Sequence, residues 1–359
     1  MITEQFVYKS SISQQSGSIT CSAPSNIALV KYWGKRGEQL PANPSLSFTL
    51  QHCKTITKLD YSPKTSSDTF SFDLFFDGKP KDDFKPKIEQ FFQRILTYCP
   101  YLTSFHFTIN TQNTFPHSSG IASSASGMAA LSFCIMQLEK LLNPSIVDEF
   151  LYQKASFLAR LGSGSACRSI KDSVVVWGRH QEVFQSSDLY GVPLNTPLHE
   201  VFKNYQDTIL LVDKGEKQVS STVGHNLMHN HPYAETRFFQ AHQNLSALKL
   251  CLQNGNVQEF IKIVESEALT LHAMMMTSMP YFILMKPNTL HIINAIWQFR
   301  ETTQIPVCFT LDAGANVHML YPEKDKEVVL QFINSEIVGY CQNGHYICDE
   351  IGFGAQRLA

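Results

Sequence analysis

The sequence predicts an α+β protein built in two parts. Strand-like and helical segments follow one another without the strict alternation of a doubly wound sheet. No segment recurs at a fixed period. Residues 186–207 are rich in Pro, Ser and Asn and form the expected linker, beyond which long helical patterns mix with short strands. This gives a flexible leader over 1–18, an amino-terminal domain over 19–190 and a carboxyl-terminal domain over 191–359.

The elements follow in order. Ile27 to Val30 is an apolar run, a buried strand or a short helix. "SLSFTLQHCKTITKLDY" alternates as a strand does, and "TFSFDLFFDGKPKDDF" reads as a strand closed by an Asp77-Gly78 hairpin turn. Ile88, Phe91, Phe92, Ile95 and Leu96 have helical spacing. "SFHFTINTQN" alternates again, and then a Ser-rich stretch runs into the helix "SGMAALSFCIMQLEKLL". "NPS" is a candidate cap for a second helix, "IVDEFLYQKASFLARL". "VVVW" and "TILLV" are short strands; three long helical patterns and the strands "VCFTLD" and "NVHMLY" complete the chain.

Composition narrows the function. The 359 residues are 43% hydrophobic, enough for a sizeable core, and the net charge of −2 offers no electrostatic footprint for nucleic acid or an anionic membrane. No apolar run approaches a membrane span, and the first residues lack the apolar core of a signal peptide. Nine cysteines, odd in number and without C-x-x-C spacing, suit reduced thiols and a cytoplasmic address.

Four short stretches carry candidate chemistry. "FPHSSGIASSASGMAAL" (115–131) crowds Ser and Gly just before a helix. A helix start has unpaired N–H groups and a partial positive charge, so this is either a phosphate cradle or an ordinary Ser-rich loop with a cap. "LGSGSACRS" sets Arg168 beside small residues that leave room for its fork to reach a carboxylate or phosphate. "TLDAGANV" puts Asp312 at the end of an apolar strand, as a turn former or a catalytic carboxylate. "NIALVKYWGKRG" places Lys31 and Lys35 around an aromatic pair. His225, His229 and His231 match no zinc pattern, and Met274, Met275, Met276 and Met279 read as adaptable packing.

Taken together and in that order, these motifs closely resemble the mevalonate diphosphate decarboxylase family of the GHMP kinase superfamily, over about Cys21 to Leu320. The resemblance implies a two-lobed fold, with an amino-terminal lobe like a ribosomal-protein domain and a ferredoxin-like carboxyl-terminal lobe. It implies ATP and Mg²⁺ as cofactors, mevalonate 5-diphosphate as substrate, isopentenyl diphosphate as product and a homodimer. Asp312, Arg168 and Lys31 match the catalytic residues. Tyr32, Trp33, Lys35, Ser163, Gly164, Ser165, Ala166, Ser221 and Thr222 match the substrate contacts. Asn113, Pro116, Gly120, Ala122, Ser123 and Ser124 match the nucleotide site, with Ser124 also at the metal. Three departures from the family pattern stand out: Asp73 where an arginine is common, Ile170-Lys171-Asp172-Ser173 where two glycines are usual, and Ala315 for a proline. A phosphomevalonate or mevalonate substrate, or a kinase without decarboxylation, stays open at this point, as does a non-catalytic binding protein on the same fold.

Overall fold

The computed structural model describes residues 3–13, 15–64, 69–116, 121–215 and 221–358, with the side chains of Ser221 and Thr222 outside that description. The first lobe contains β1 (Gly17–Val30), β2 (Lys35–Arg36), β3 (Leu40–Pro41), β4 (Ser45–Pro63), β5 (Ser71–Phe76), β6 (Lys79–Pro80), α1 (Lys85–Ile95) and β7 (Phe105–Asn113). It continues with α2 (Ser123–Leu142), α3 (Asp148–Gly162), β8 (Val174–Trp177) and β9 (Val192–Pro193). The second lobe contains β10 (Gln206–Leu210), α4 (Ser221–Asn226), α5 (Ala234–Asn254), α6 (Val257–Met276), α7 (Pro287–Thr303), β11 (Cys308–Leu311), β12 (Val317–Tyr321), α8 (Lys326–Phe332) and β13 (Tyr346–Glu350). A final strand, β14 (Gln356–Leu358), returns to the first lobe.

The large sheet has the order β14-β1-β4-β7-β5-β6, with β8 joining β4 to β9. Strand β4 shows how burial sets the pattern. Ser45 to Leu50 are all buried, because this half lies between the lobes; from Cys53 the strand alternates, with Cys53, Thr55, Thr57 and Leu59 inward. Helix α2 packs on this face and is apolar nearly all round, as a central helix must be. The Asp77-Gly78 turn forms as expected: both residues have positive φ, and Phe76 pairs with Lys79. The small sheet, β11-β12-β10-β13, is antiparallel throughout and follows a β-α-β-β-α-β chain order.

The lobes are joined by more than a linker. The Asp349 carboxylate on β13 accepts the main-chain N–H groups of Gln51, His52 and Cys53 in the middle of β4, at 2.7–2.9 Å. Strand β9 pairs with β8, and Phe202 is buried, so the expected linker is packed structure. Strand β14 pairs with β1, so the carboxyl terminus belongs to the first lobe's sheet.

The leader also differs from expectation. Phe6 is fully buried and stacks on Phe157 at 4.4 Å, Tyr8 is buried, and the Tyr8 N–H donates to Tyr98 O. An apolar pair among polar residues was enough to anchor this segment. The "NPS" cap is also displaced: α3 begins after Val147, without a side-chain cap. We expect Phe6→Ala to lower the unfolding free energy by about 3–5 kcal/mol in urea titrations; a frayed leader would give a change near zero.

Candidate active site

The four motifs converge on one cleft. It is lined by Lys31, Tyr32, Trp33 and Lys35 after β1, Ala122 and Ser124 at the start of α2, Gly162 to Ser165 and Arg168 after α3, and Asp312 after β11. Lys31 is buried, and its Nζ lies 3.5 Å from Asp312 Oδ1, while the Asp312 side chain stays partly open to the cleft. Burial pushes the Lys31 ammonium below the ordinary lysine value, against the pull of Asp312 and Glu267.

The Lys31 main chain is held from both sides. Its N–H donates to Glu267 Oε2 at 2.8 Å, and its C=O accepts from Asn43 Nδ2 at 2.9 Å and Arg237 Nη2 at 3.2 Å. Arg237 and Glu267 are themselves a buried bidentate pair. Arg168 is buried as well; burial lowers its pKa, and its head group rests on Ser45 Oγ and Asn26 Oδ1. Asn26 also donates to Ser165 O and Ser169 Oγ, so it ties the arginine to the Ser/Gly loop. Neither Asn26 nor Ser45 stood out in the sequence, because a polar residue inside an apolar strand motif carries no spacing signal of its own.

Close packing shapes the loop wall. A side chain at Gly164 would collide with Tyr32 Oη and Trp177, at 2.9 and 2.8 Å. Tyr32 Oη is buried at the cleft wall and has no hydrogen-bond partner among the described residues. Gly34 has φ +100°, which turns the chain after Trp33 so that Lys35 re-enters the cleft. His225 lies against Tyr32 and Trp33, with ring centroids at 4.2 and 4.7 Å, and its Nδ1 accepts from the Gly34 N–H. Burial holds it neutral. Its part in the cleft is packing and a hydrogen bond.

A second, largely apolar cavity lies against the first. Leu74, Phe76, Phe84, Ile88, Ile109, Met128 and Leu131 line it, with Thr55, Thr111, Asn113 and Ser123 at polar positions. Ser124 and Lys87 line both cavities. The ordinary serine cap, one of the two readings of this stretch, is not there: Ala122 is the N-cap, at φ 41°, and makes no side-chain cap bond. Ser123 and Ser124 are the first helical residues, so capping does not consume their hydroxyls. Ser25 Oγ fixes the loop by donating to Ile121 O at 2.7 Å.

Some predicted residues do not arrive. Ala166 is buried in the core, and its N–H donates to Ser163 O. Pro116 is exposed and lines neither cavity. Gly120 lies outside the described residues, as do the side chains of Ser221 and Thr222. The departures from the family pattern also lie off the cleft. Asp73 pairs with His106 at 3.2 Å, on the opposite strand face from the core residue Leu74. Lys171 pairs with Glu149, and Asp172 caps the Ser173 N–H.

Fold and cleft together define a class: a two-lobed α+β enzyme of the GHMP kinase type, in which a serine-bearing helix start separates an apolar pocket from a charged cleft. Residues 23–189 match the family model for the diphosphomevalonate decarboxylase-like N-terminal domain, and residues 208–350 match that for the mevalonate 5-diphosphate decarboxylase C-terminal domain. The chain therefore belongs to the diphosphomevalonate decarboxylase family. It is 29% identical to diphosphomevalonate decarboxylase mvd1 of Aspergillus fumigatus, over 86% of this chain and 78% of that one. The structure resembles mevalonate diphosphate decarboxylase from Staphylococcus aureus, with a TM-score of 0.81 and 26% identity over 96% of this chain and 99% of that one. It also resembles a structure described as MDDEF in complex with MVAPP, AMPPCP and magnesium, at a TM-score of 0.81 and 27% identity over 96% and 99% of the two chains.

Two outcomes follow from this geometry. Asp73→Arg should leave the KM for the anionic substrate unchanged, because position 73 faces away from the cleft; a fall in KM would place it at the substrate. Burial, with Arg94 and Lys87 nearby, lowers Lys35 to about 8. A lowered lysine pKa means that charge is lost as pH rises through about 8. The KM for a phosphorylated substrate should therefore climb above that pH, and Lys35→Arg should remove this alkaline limb.

Proposed function

We propose that the protein catalyses the ATP-dependent decarboxylation of mevalonate 5-diphosphate to isopentenyl diphosphate, with release of CO₂, ADP and phosphate. The observation that carries this reading is the grouping of Lys31, Asp312 and Arg168 in one cleft, beside the helix start that separates it from an apolar pocket. A phosphoryl transfer alone needs positioning and charge at the phosphates. A buried arginine and a lysine–carboxylate pair facing the same space fit a second event, the loss of a carboxylate.

In this reading the apolar pocket takes the adenosine part of ATP, and the phosphates cross the α2 start past Ser123, Ser124 and Lys87. Asn113 Nδ2 is buried there without a partner among the described residues and suits an incoming acceptor. Among the described residues no cluster of His, Cys, Asp or Glu could hold a metal. Mg²⁺ keeps waters and binds through nucleotide phosphates with few protein ligands, and the Ser124 hydroxyl would be one of them. The ion would neutralise phosphate charge during transfer.

Lys35, Tyr32, Ser163 and Ser165 would hold the substrate diphosphate, and Arg168 its carboxylate. Asp312 faces the tertiary hydroxyl, orients it for phosphorylation and then stabilises positive charge at the tertiary carbon as phosphate leaves. Arg168 aligns the breaking C–C bond with the departing C–O bond. Lys31 fixes the orientation of Asp312, its Nζ lying 3.5 Å from the carboxylate. Among the described residues no helix is long and apolar enough to cross a membrane. We place the protein in the cytoplasm as a homodimer, which fractionation and light scattering would check.

The deciding experiment incubates the protein with ATP, Mg²⁺ and, in turn, mevalonate, its 5-phosphate and its 5-diphosphate, and identifies the products. CO₂ and isopentenyl diphosphate should form from the diphosphate alone; phosphorylation without CO₂ would mean a kinase. Asp312→Asn should keep the fold and nucleotide binding and lower kcat by at least ~1000-fold, the effect of roughly 3–4 kcal/mol at the transition state. Near wild-type CO₂ release would exclude Asp312 as the reacting carboxylate. Ser124→Ala should weaken turnover at limiting ATP without unfolding the protein.

A further inference from the structure

We propose that His272 is a positioning residue for the Lys31–Asp312 pair, and that helix α6 sets the spacing of that pair from both ends. The inference rests on reading Asp312 as the reacting carboxylate. Glu267 and His272 both lie on α6 and are both buried. Glu267 accepts the Lys31 N–H at 2.8 Å, and His272 Nε2 reaches the Asp312 main-chain oxygen at 3.1 Å. One rigid helix thus grips the backbone of the buried cation and the backbone of its carboxylate partner. Between those two grips the side chains meet at 3.5 Å. Leu271, next to His272, lines the cleft and packs in the cluster that contains Trp33, so the helix cannot shift without disturbing the cleft wall.

The chemistry of the contact fixes the state of the ring. A carbonyl oxygen only accepts, so Nε2 carries the proton and donates. The same oxygen also accepts the Gly314 N–H at 2.7 Å, which closes the turn after β11. Burial, then the nearby Lys31, hold the imidazole down at about 4 against the opposing pull of the Asp312 carbonyl and carboxylate. The ring is therefore a neutral donor at working pH. A cationic donor at this place would compete with Lys31 for the Asp312 charge; a neutral one steadies the turn and leaves the pair undisturbed.

The test uses His272→Phe, which keeps a ring but removes the donor, and His272→Gln, which offers an amide N–H near the Nε2 position. Turnover with mevalonate 5-diphosphate and ATP is measured for each, with thermal unfolding recorded alongside. We expect His272→Phe to lower kcat by about 10–100-fold, the scale of a small misplacement at a reacting centre, with both KM values nearly unchanged. His272→Gln should recover most of that loss. In the wild-type protein, ¹⁵N spectra of His272 should show the neutral Nε2–H tautomer at neutral pH. A folded His272→Phe protein with kcat within about threefold of wild type overturns the proposal. So does a folded His272→Gln protein as slow as the Phe variant, and so does an Nδ1–H tautomer in the wild type. If the Phe variant fails to fold, the Gln variant and the tautomer still decide. Asp312→Asn is the control. If it keeps full turnover, the reading of Asp312 fails; if it is inactive while His272→Phe is fully active, only the positioning role of His272 fails.

Discussion

The Glu267 carboxylate, buried where the lobes meet, is the constraint around which the cleft is built. It accepts hydrogen bonds from both Arg237 amino groups, from Asn244 and from the Lys31 main chain. Such a charge tolerates burial only when paired and fully hydrogen-bonded, and losing one partner would leave the others stranded. The energetic benefit of a buried pair is small or negative, so its value here is geometric. It fixes where β1 ends, and with it where the Lys31 side chain must go. Arg237 comes from α5 and Glu267 from α6, so the second lobe decides the shape of a first-lobe strand end.

From that point the electrostatics of the cleft follow. Lys31 and Arg168 are buried cations, and Lys35 is half-buried beside Arg94 and Lys87. Burial works against each of these charges, as the lowered pKa values of Lys31, Lys35 and Arg168 state. Among the described residues that line the cleft, Asp312 is the carboxylate that faces them. A site with more buried positive than negative charge among its described residues suits an anionic ligand, and the carboxylate and diphosphate of the proposed substrate would supply that charge. The same cations then act in a poorly hydrated space, where a fixed charge has more effect on a reacting centre than it has in water.

The start of α2 lies between the two cavities. Its N-cap is alanine, an unfavourable choice for helix stability. The consequence is that two serine hydroxyls are not spent on capping, and Ser124 remains available to both spaces. The rest of the helix offsets this through burial on nearly every side. Local stability is given up at the helix start, and it is regained in the core.

The α+β class, most strands and helices, the Asp77-Gly78 turn and the four motifs were legible because each rests on local rules: alternation, helical spacing, turn chemistry and small residues at a helix start. The family followed from the order of those motifs. The docked leader, the packed segment at 186–207 and the returning strand β14 were not legible, since each depends on a surface built by distant residues. Burial of Phe6 against Phe157 is one such case. Nor could the sequence say that Asp73 lies off the cleft or that Ala166 lies in the core, because the face a residue takes depends on register with its neighbours. Asn26, Glu267, Arg237 and His272 carry no motif among themselves: Asn26 is 241 positions from Glu267 in the chain. By itself the sequence determined the family and the motifs that meet in one cleft. The tertiary structure alone decided which groups hold them in place, because a holding contact is a distance between parts of the chain that only folding brings together.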